Sequence, residues 1–320
     1  VRVSTDHLDD LLAGWTAPRL AERLGLRPDD AADTAALVEQ VLSDPAARDV
    51  VADHLAALAG VVGDFAETRG SVFGDDPARL DLTRPDGTTV QAGLALVALL
   101  AATGEVRAFH ERHGIGEEQT WRTLSDLGQQ VWVHRRTFGA FGLHTHEWLT
   151  WAWSGALHWL GRLQLNLRQR TDGTGTVQPG RWVLSVHIPE SGPLSADVVD
   201  DSFARARDFF ARHHPDHRVE ALHCSSWLLD PALAEGLPGS NMAAFQQRWT
   251  PTGRSWPGNG DALFFTFRRR GDVDLDTLPQ QTSLQRLVVQ RIRDGRGWRS
   301  VEGHADLPDR RPSDPTPEAR

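Results

Sequence analysis

The chain contains no lysine and no tyrosine, and only one cysteine and one methionine. Without lysine there is no amine to form a Schiff base or act as a general base, and without tyrosine no phenol to act as an acid. Any chemistry rests on His, Asp, Glu, Cys, Ser or water. The lone Cys224 cannot close an intramolecular disulfide. No charged-then-apolar leader opens the sequence, and cytoplasmic residence is the expectation. Negative charge is in excess, with a formal net charge of -9, which disfavours nonspecific attraction to nucleic acid or anionic lipid. Neither a nucleic acid nor a membrane is expected as a partner.

A chain of 320 residues exceeds the usual size of one hydrophobic core, so two domains are expected. Up to about Phe138 the apolar residues recur at helical spacing, as in Leu8, Leu11 and Leu12, then Leu37, Val38, Val41 and Leu42, then Val51, Leu55, Leu58 and Val62. Gln91 to Thr103 reads as a more uniformly apolar helix. One helix is predicted over 116–138, with Glu117 and Glu118 at its positive end and Arg135 and Arg136 at its negative end. Another, opened by Thr145, is predicted over 147–159.

After Gly161 the period changes. Leu163, Leu165 and Leu167 alternate with Gln164 and Asn166, and Trp182, Leu184, Val186 and Ile188 alternate with Val183, Ser185 and His187. Asp172-Gly173-Thr174-Gly175 joins these strands as a hairpin. Ser195 opens a helix whose Val199, Phe203, Ala206 and Phe210 share one face. A strand over 219–229, short helical pieces, a strand pair over 247–252 and 262–268 joined by Gly258-Asn259-Gly260-Asp261, a helix over 278–294 and a short strand over 298–301 complete the reading. The tail over 308–320, rich in Pro, Asp and Arg, is expected to be disordered. In this order the strand ending at Ile188 leads through a loop to a helix N-terminus, where backbone amides and the helix dipole favour an anion such as a pyrophosphate.

The blocks Glu147-Trp148-Leu149, Leu160-Gly161-Arg162-Leu163-Gln164, Val186-His187-Ile188-Pro189-Glu190-Ser191-Gly192-Pro193-Leu194, Ser226-Trp227-Leu228-Leu229-Asp230-Pro231, Leu237-Pro238 and Ser240-Asn241 together resemble a family of bacterial, largely actinobacterial, acyltransferase-domain proteins. These have a helical N-terminal acyltransferase segment and a GNAT-like C-terminal domain. The resemblance implies an α+β fold, with a helical domain over 1–142 and a GNAT-like domain over 143–307. It also implies transfer of an acyl group from acyl-coenzyme A to an amine or hydroxyl acceptor, with no metal. Val186, Ile188, Ser191, Gly192, Leu194 and Ser195 fall where the resemblance places the pantetheine arm and diphosphate, and Asn241 falls where an asparagine often contacts that arm.

Acyl transfer to an amine needs a base for the ammonium proton, donors for the thioester oxygen and an acid for the leaving thiolate. His187 is the candidate base and Glu190 its candidate assistant. Cys224 or Ser225, polar residues in an apolar strand, are the candidate acids. Two alternatives stand beside this reading. One is a GNAT-like module that binds coenzyme A or another ligand without turnover. The other is a metal-dependent hydrolase using His144, His146 and Glu147.

Overall fold

The computed structural model describes residues 5–65, 70–172 and 174–308. The expected tail lies outside them from residue 309 on. The chain divides into two compact units, Val1–His158 and Trp159–Arg320, so the division falls after His158 rather than after residue 142.

The first unit holds helices α1 (Thr5–Leu12), α2 (Ala17–Leu24), α3 (Pro28–Ser43), α4 (Pro45–Gly60) and α5 (Pro77–Leu80), then a hairpin of β1 (Leu82–Thr83) and β2 (Thr89–Val90). The helices α6 (Gly93–Arg112), α7 (Glu117–Leu124), α8 (Asp126–Phe138) and α9 (His146–Trp153) follow. By length and composition α6 is apolar enough to cross a membrane, yet 78% of its apolar window is buried inside the fold. It is the central helix of this unit, packed by α1, α3, α4 and α9. Trp153 on α9 donates from Nε1 to the Leu99 carbonyl of α6 at 2.6 Å. On α8, Arg135 bonds Asp30 and Asp33 of α3, each at 2.6 Å.

Two sequence expectations fail here for steric reasons. The helix expected over 116–138 breaks at Ser125 into α7 and α8. The start of α8 lies against the Gly25 turn: a Cβ on Gly128 would meet the Gly25 carbonyl at 2.3 Å, so the contact is open only to glycine. The helix expected to reach residue 159 ends at Trp153, because Gly155 turns the chain with φ +78 under the ring of Phe109. The next segment is a strand, β3 (Leu157–Leu160).

The sheet continues with β4 (Leu163–Thr171), β5 (Val177–His187), helix α10 (Ala196–His213) and β6 (Val219–Ser226). A 3-10 turn (Trp227–Leu229), α11 (Pro231–Gly236) and α12 (Asn241–Gln246) lead to β7 (Thr250–Pro257). Helices α13 (Asn259–Phe267) and α14 (Ser283–Arg293) precede β8 (Arg299–Ala305). The strand order is β3-β4-β5-β6-β8-β7. Neighbours are antiparallel from β4 to β5, from β6 to β8 and from β8 to β7, while β5 and β6 run parallel across α10.

The segment 262–268, expected as a strand, is α13 and its cap. A short aromatic run has no decisive period. Here packing decides: Leu263 is buried with Leu278 and with Val289 of α14. Gly258-Asn259-Gly260-Asp261 therefore opens a helix instead of joining strands, and Asn259 Oδ1 accepts the Trp298 amide at 2.7 Å.

Candidate active site

Alternation gives the sheet two different faces. Leu163, Leu165, Leu167, Leu184, Val186, Leu222 and Cys224 are buried on one. Helix α10 covers that side, where its Phe210 and Leu184 of β5 line the same cavity. The register pairs place Gln164, Asn166, Ser185, His187, His223, Ser225, Glu302 and His304 on the other face. This continuous polar band crosses four strands.

Along their N-terminal parts β5 and β6 are paired, Trp182 opposite Val219 and, after a register shift between Trp182 and Val183, Leu184 opposite Leu222, and the pairing ends at Ser185 opposite His223. Beyond that rung β5 stays bonded to β4, Val186 opposite Leu165 and His187 opposite Gln164. Similarly β6 stays bonded to β8, Cys224 opposite Gly303 and Ser226 opposite Val301. The two middle strands of the sheet therefore part at their C-terminal ends. They form a fork whose rims are strand backbone, and α10 starts just past one rim.

The loop between β5 and α10 is held from below. The Arg162 guanidinium donates to the carbonyls of Pro189 at 2.7 Å, Gly192 at 2.8 Å and Pro193 at 3.0 Å. With these carbonyls drawn toward Arg162, the loop has a fixed course into α10. Gly192 stands at φ +123, a conformation that L side chains avoid. Ser195 occupies the N-cap of α10 without a side-chain cap bond to the helix backbone; its hydroxyl instead bonds Asp197, whose carboxyl is held below the usual range by that bond. Glu190, which is exposed, forms an ion pair with the buried Arg268 at the end of α13, so it ties the loop to α13.

At the fork, His187 Nε2 lies 2.6 Å from Asn166 Oδ1, while Asn166 Nδ2 donates to the Leu167 carbonyl at 3.0 Å. The second bond fixes which end of the amide faces His187. Nε2 must then be the protonated nitrogen and Nδ1 the one carrying the lone pair. Burial, aided by the nearby His223 and Arg168, pushes this imidazole down to about 3. It is neutral throughout the physiological range.

A second histidine sits at the last shared rung. His223 is 1% exposed; its Nε2 lies 2.9 Å from Glu302 Oε1 and its Nδ1 lies 3.4 Å from Ser185 Oγ. Thr252 Oγ1 and Arg254 Nη1 hold Glu302 Oε2 at 3.1 and 3.2 Å. The bond from His223 draws the Glu302 carboxyl down to about 2, and desolvation lowers His223. The pair is thus a neutral imidazole donating to a carboxylate, whose charge is matched by Arg254.

Of the residues singled out in the sequence, His187, Val186, Ile188, Ser191, Gly192, Leu194 and Ser195 line one rim of the fork and the loop beyond it. Ser225, exposed on the polar face of β6, lies on the opposite rim. Cys224 is on the wrong face: it is 0% exposed among the apolar side chains of the α10 side, and burial pushes its thiol up. It cannot share a proton with groups on the His187 side. Asn241 is exposed in the first turn of α12, whose cap is Ser240 Oγ accepting the Ala243 amide at 3.1 Å. In the first unit Glu147 is occupied otherwise than in the hydrolase alternative. Its carboxylate accepts the amides of Val72 at 3.1 Å and Phe73 at 2.9 Å, and the Ser71 hydroxyl. No motif in the sequence singles out Asn166, Ser185, Glu302, Thr252 and Arg254 as site residues, whereas His223 stands out with Cys224 and Ser225 as polar in an apolar strand. Polar residues at every second position of β4 were the available signal; the partnerships across β5, β6 and β8 leave none.

Residues 15–155 match the family model for an N-acyltransferase N-terminal domain, and residues 157–305 match that for a GNAT-like C-terminal domain. No curated protein sequence matched the chain. Among solved structures, an acyltransferase in complex with coenzyme A and 10C-teicoplanin is 33% identical, with 95% of this chain and 94% of that one covered at a TM-score of 0.79. A mutant acyltransferase in complex with octanoyl-coenzyme A is 33% identical over 91% of this chain and 88% of that one, at 0.78. A third, with decanoyl-coenzyme A and teicoplanin, is 30% identical over 96% and 100%, also at 0.78. The expected α+β architecture of a helical region followed by a GNAT-like sheet domain is therefore correct, and so is the reading as an acyltransferase. The chain belongs to the acyltransferase family that joins an N-acyltransferase N-terminal domain to a GNAT-like C-terminal domain.

Proposed function

We propose that this chain moves a medium-length acyl group from acyl-coenzyme A to an amine of a glycopeptide of the teicoplanin class. The observation that carries the reading is the fork. A pantetheine arm carries amides that pair with strand backbone, and strands that part at one end beside a helix N-terminus offer it both rims and a seat for its diphosphate. The octanoyl and decanoyl donors and the teicoplanin acceptor of the relatives support the substrate classes.

His187 serves as the base on this reading. Its neutral imidazole presents the Nδ1 lone pair, while Asn166 holds the ring through Nε2. As the acceptor nitrogen bonds to the acyl carbon, its proton passes to Nδ1; the carbon–sulfur bond breaks and the thiolate leaves to take up a proton. Backbone amides of the parted strands are the donors on this reading for the carbonyl oxygen as it gains charge.

Replacing His187 by alanine is expected to lower kcat with octanoyl-coenzyme A and a teicoplanin-class glycopeptide bearing a free amine by about 10²- to 10⁴-fold, with coenzyme A affinity by calorimetry nearly unchanged. An unchanged rate removes His187 from the chemistry. A wild-type protein that binds coenzyme A yet releases no thiol with any amine is the outcome that favours the noncatalytic module.

A further inference from the structure

Gln164 stands directly opposite His187 on β4, on the polar face of the sheet. It is 2% exposed, and its Nε2 has no hydrogen-bond partner among the described residues. The residues beside it in the band are bonded. Asn166 meets His187 and the Leu167 carbonyl. His223 is contacted by Ser185, by Glu302 and by Arg168 Nη1, which lies 3.4 Å from its Nδ1 and 3.3 Å from its Nε2. We propose that Gln164 binds the acyl acceptor, its Nε2 donating to a hydroxyl or carbonyl oxygen that the acceptor carries beside its reacting amine. The proposal rests on the reading of His187 as the base that meets this amine.

A side-chain amide holds two donor hydrogens on its nitrogen, and a buried donor without a partner destabilises the protein that contains it. An oxygen of a bound molecule that meets Nε2 offsets this. Nε2 offers hydrogens alone, so its counterpart is an oxygen and not the nitrogen of an ammonium, which has no lone pair to give.

Location decides which substrate supplies that oxygen. Residues directly opposite on paired strands have Cβ atoms about 5 Å apart. Asn166, two positions further along β4, already reaches the His187 ring, and Gln164 is longer by one methylene. The fork opens between β5 and β6, while β4 lies on the other flank of β5. A thioester in the fork thus approaches His187 from the β6 side, and Gln164 stands on the side away from it, beside the base that the acceptor must touch.

The test measures steady-state transfer from octanoyl-coenzyme A to a teicoplanin-class glycopeptide bearing a free amine, with each substrate varied in turn, in wild type and Gln164→Met. Melting curves of the two free proteins accompany it. Methionine keeps the length of glutamine and has no donor. The expected result is a KM for the glycopeptide raised about ten-fold, with kcat and the KM for octanoyl-coenzyme A each within about two-fold of wild type. The melting temperature is expected at or above that of wild type, because the unsatisfied amide is gone. An unchanged KM for the glycopeptide overturns the proposal: with a lowered melting temperature it makes the amide structural, and with a lowered kcat it places Nε2 at the thioester oxygen. If Gln164→Met does not fold, Gln164→Asn takes its place. It keeps the amide but withdraws it by one carbon, and the same selective rise in KM is expected, with unchanged constants overturning the proposal. A wild type that binds coenzyme A yet transfers nothing to the glycopeptide refutes the functional reading itself, and the proposal with it.

Discussion

Cys224 and His223 are adjacent in sequence and opposite in consequence. A strand turns successive side chains to opposite faces, so the thiol lies among leucines while the imidazole joins the polar band. At this scale the most sensitive group to acid is Glu302. Its carboxyl is drawn from 4.5 to about 2 in the folded state. A depressed carboxyl stabilises the fold above its unfolded value, and that stability is lost as pH falls through the folded one. The contribution, on the order of 3 kcal/mol, should be complete above pH about 4.5 and vanish toward about 2. Acid titration of the melting temperature checks this, since Glu302→Gln should flatten the curve across that window; an unaltered acid limb contradicts it.

Among elements, the loop from β5 to α10 shows how an arginine substitutes for local sequence rules. Only one glycine in 191–195 takes an unusual backbone angle, and the loop's course depends on Arg162 gathering its carbonyls. Arg162→Ala should therefore raise KM for acyl-coenzyme A about ten-fold, roughly 1.4 kcal/mol, with a smaller change in kcat. A fall in kcat with KM unchanged would assign Arg162 to the chemistry instead. The same scale shows what was legible in the sequence. The period-2 alternation of β4 and β5, the α10 face and the loop that leads from β5 into α10 are all readable, because each depends on neighbours within one segment. The pairing of His223 with Glu302 spans 79 positions, and no local pattern encodes it. The segment of α13 carries no such signal, because its Phe264, Phe265 and Phe267 suit a strand as well as a helix and α14 supplies the deciding contact.

Over the whole molecule, each of the two units carries its own buried centre, and polar ties inside each hold distant segments. In the first, Arg135 meets Asp30, which is 1% exposed, across 105 positions. Removing the arginine leaves an uncompensated buried carboxylate. Arg135→Ala is expected to cost about 3 kcal/mol or more, read as a lower denaturation midpoint at unchanged slope, with acyl-transfer kcat at 25 °C retained in the folded fraction. An unchanged midpoint would mean that water replaces the guanidinium at no cost.

The parting of β5 from β6 is one-ended. Below Ser185 and His223 the strands stay paired, with one register shift between Trp182 and Val183, and the slot therefore has a floor. For a donor threaded in from the α10 side, the depth its carbonyl reaches is set by the length of pantetheine against that floor rather than by the tail it carries. Donors with short and long tails then present the same reactive carbon at the same height, and chain-length preference must be decided elsewhere, where the tail comes to lie.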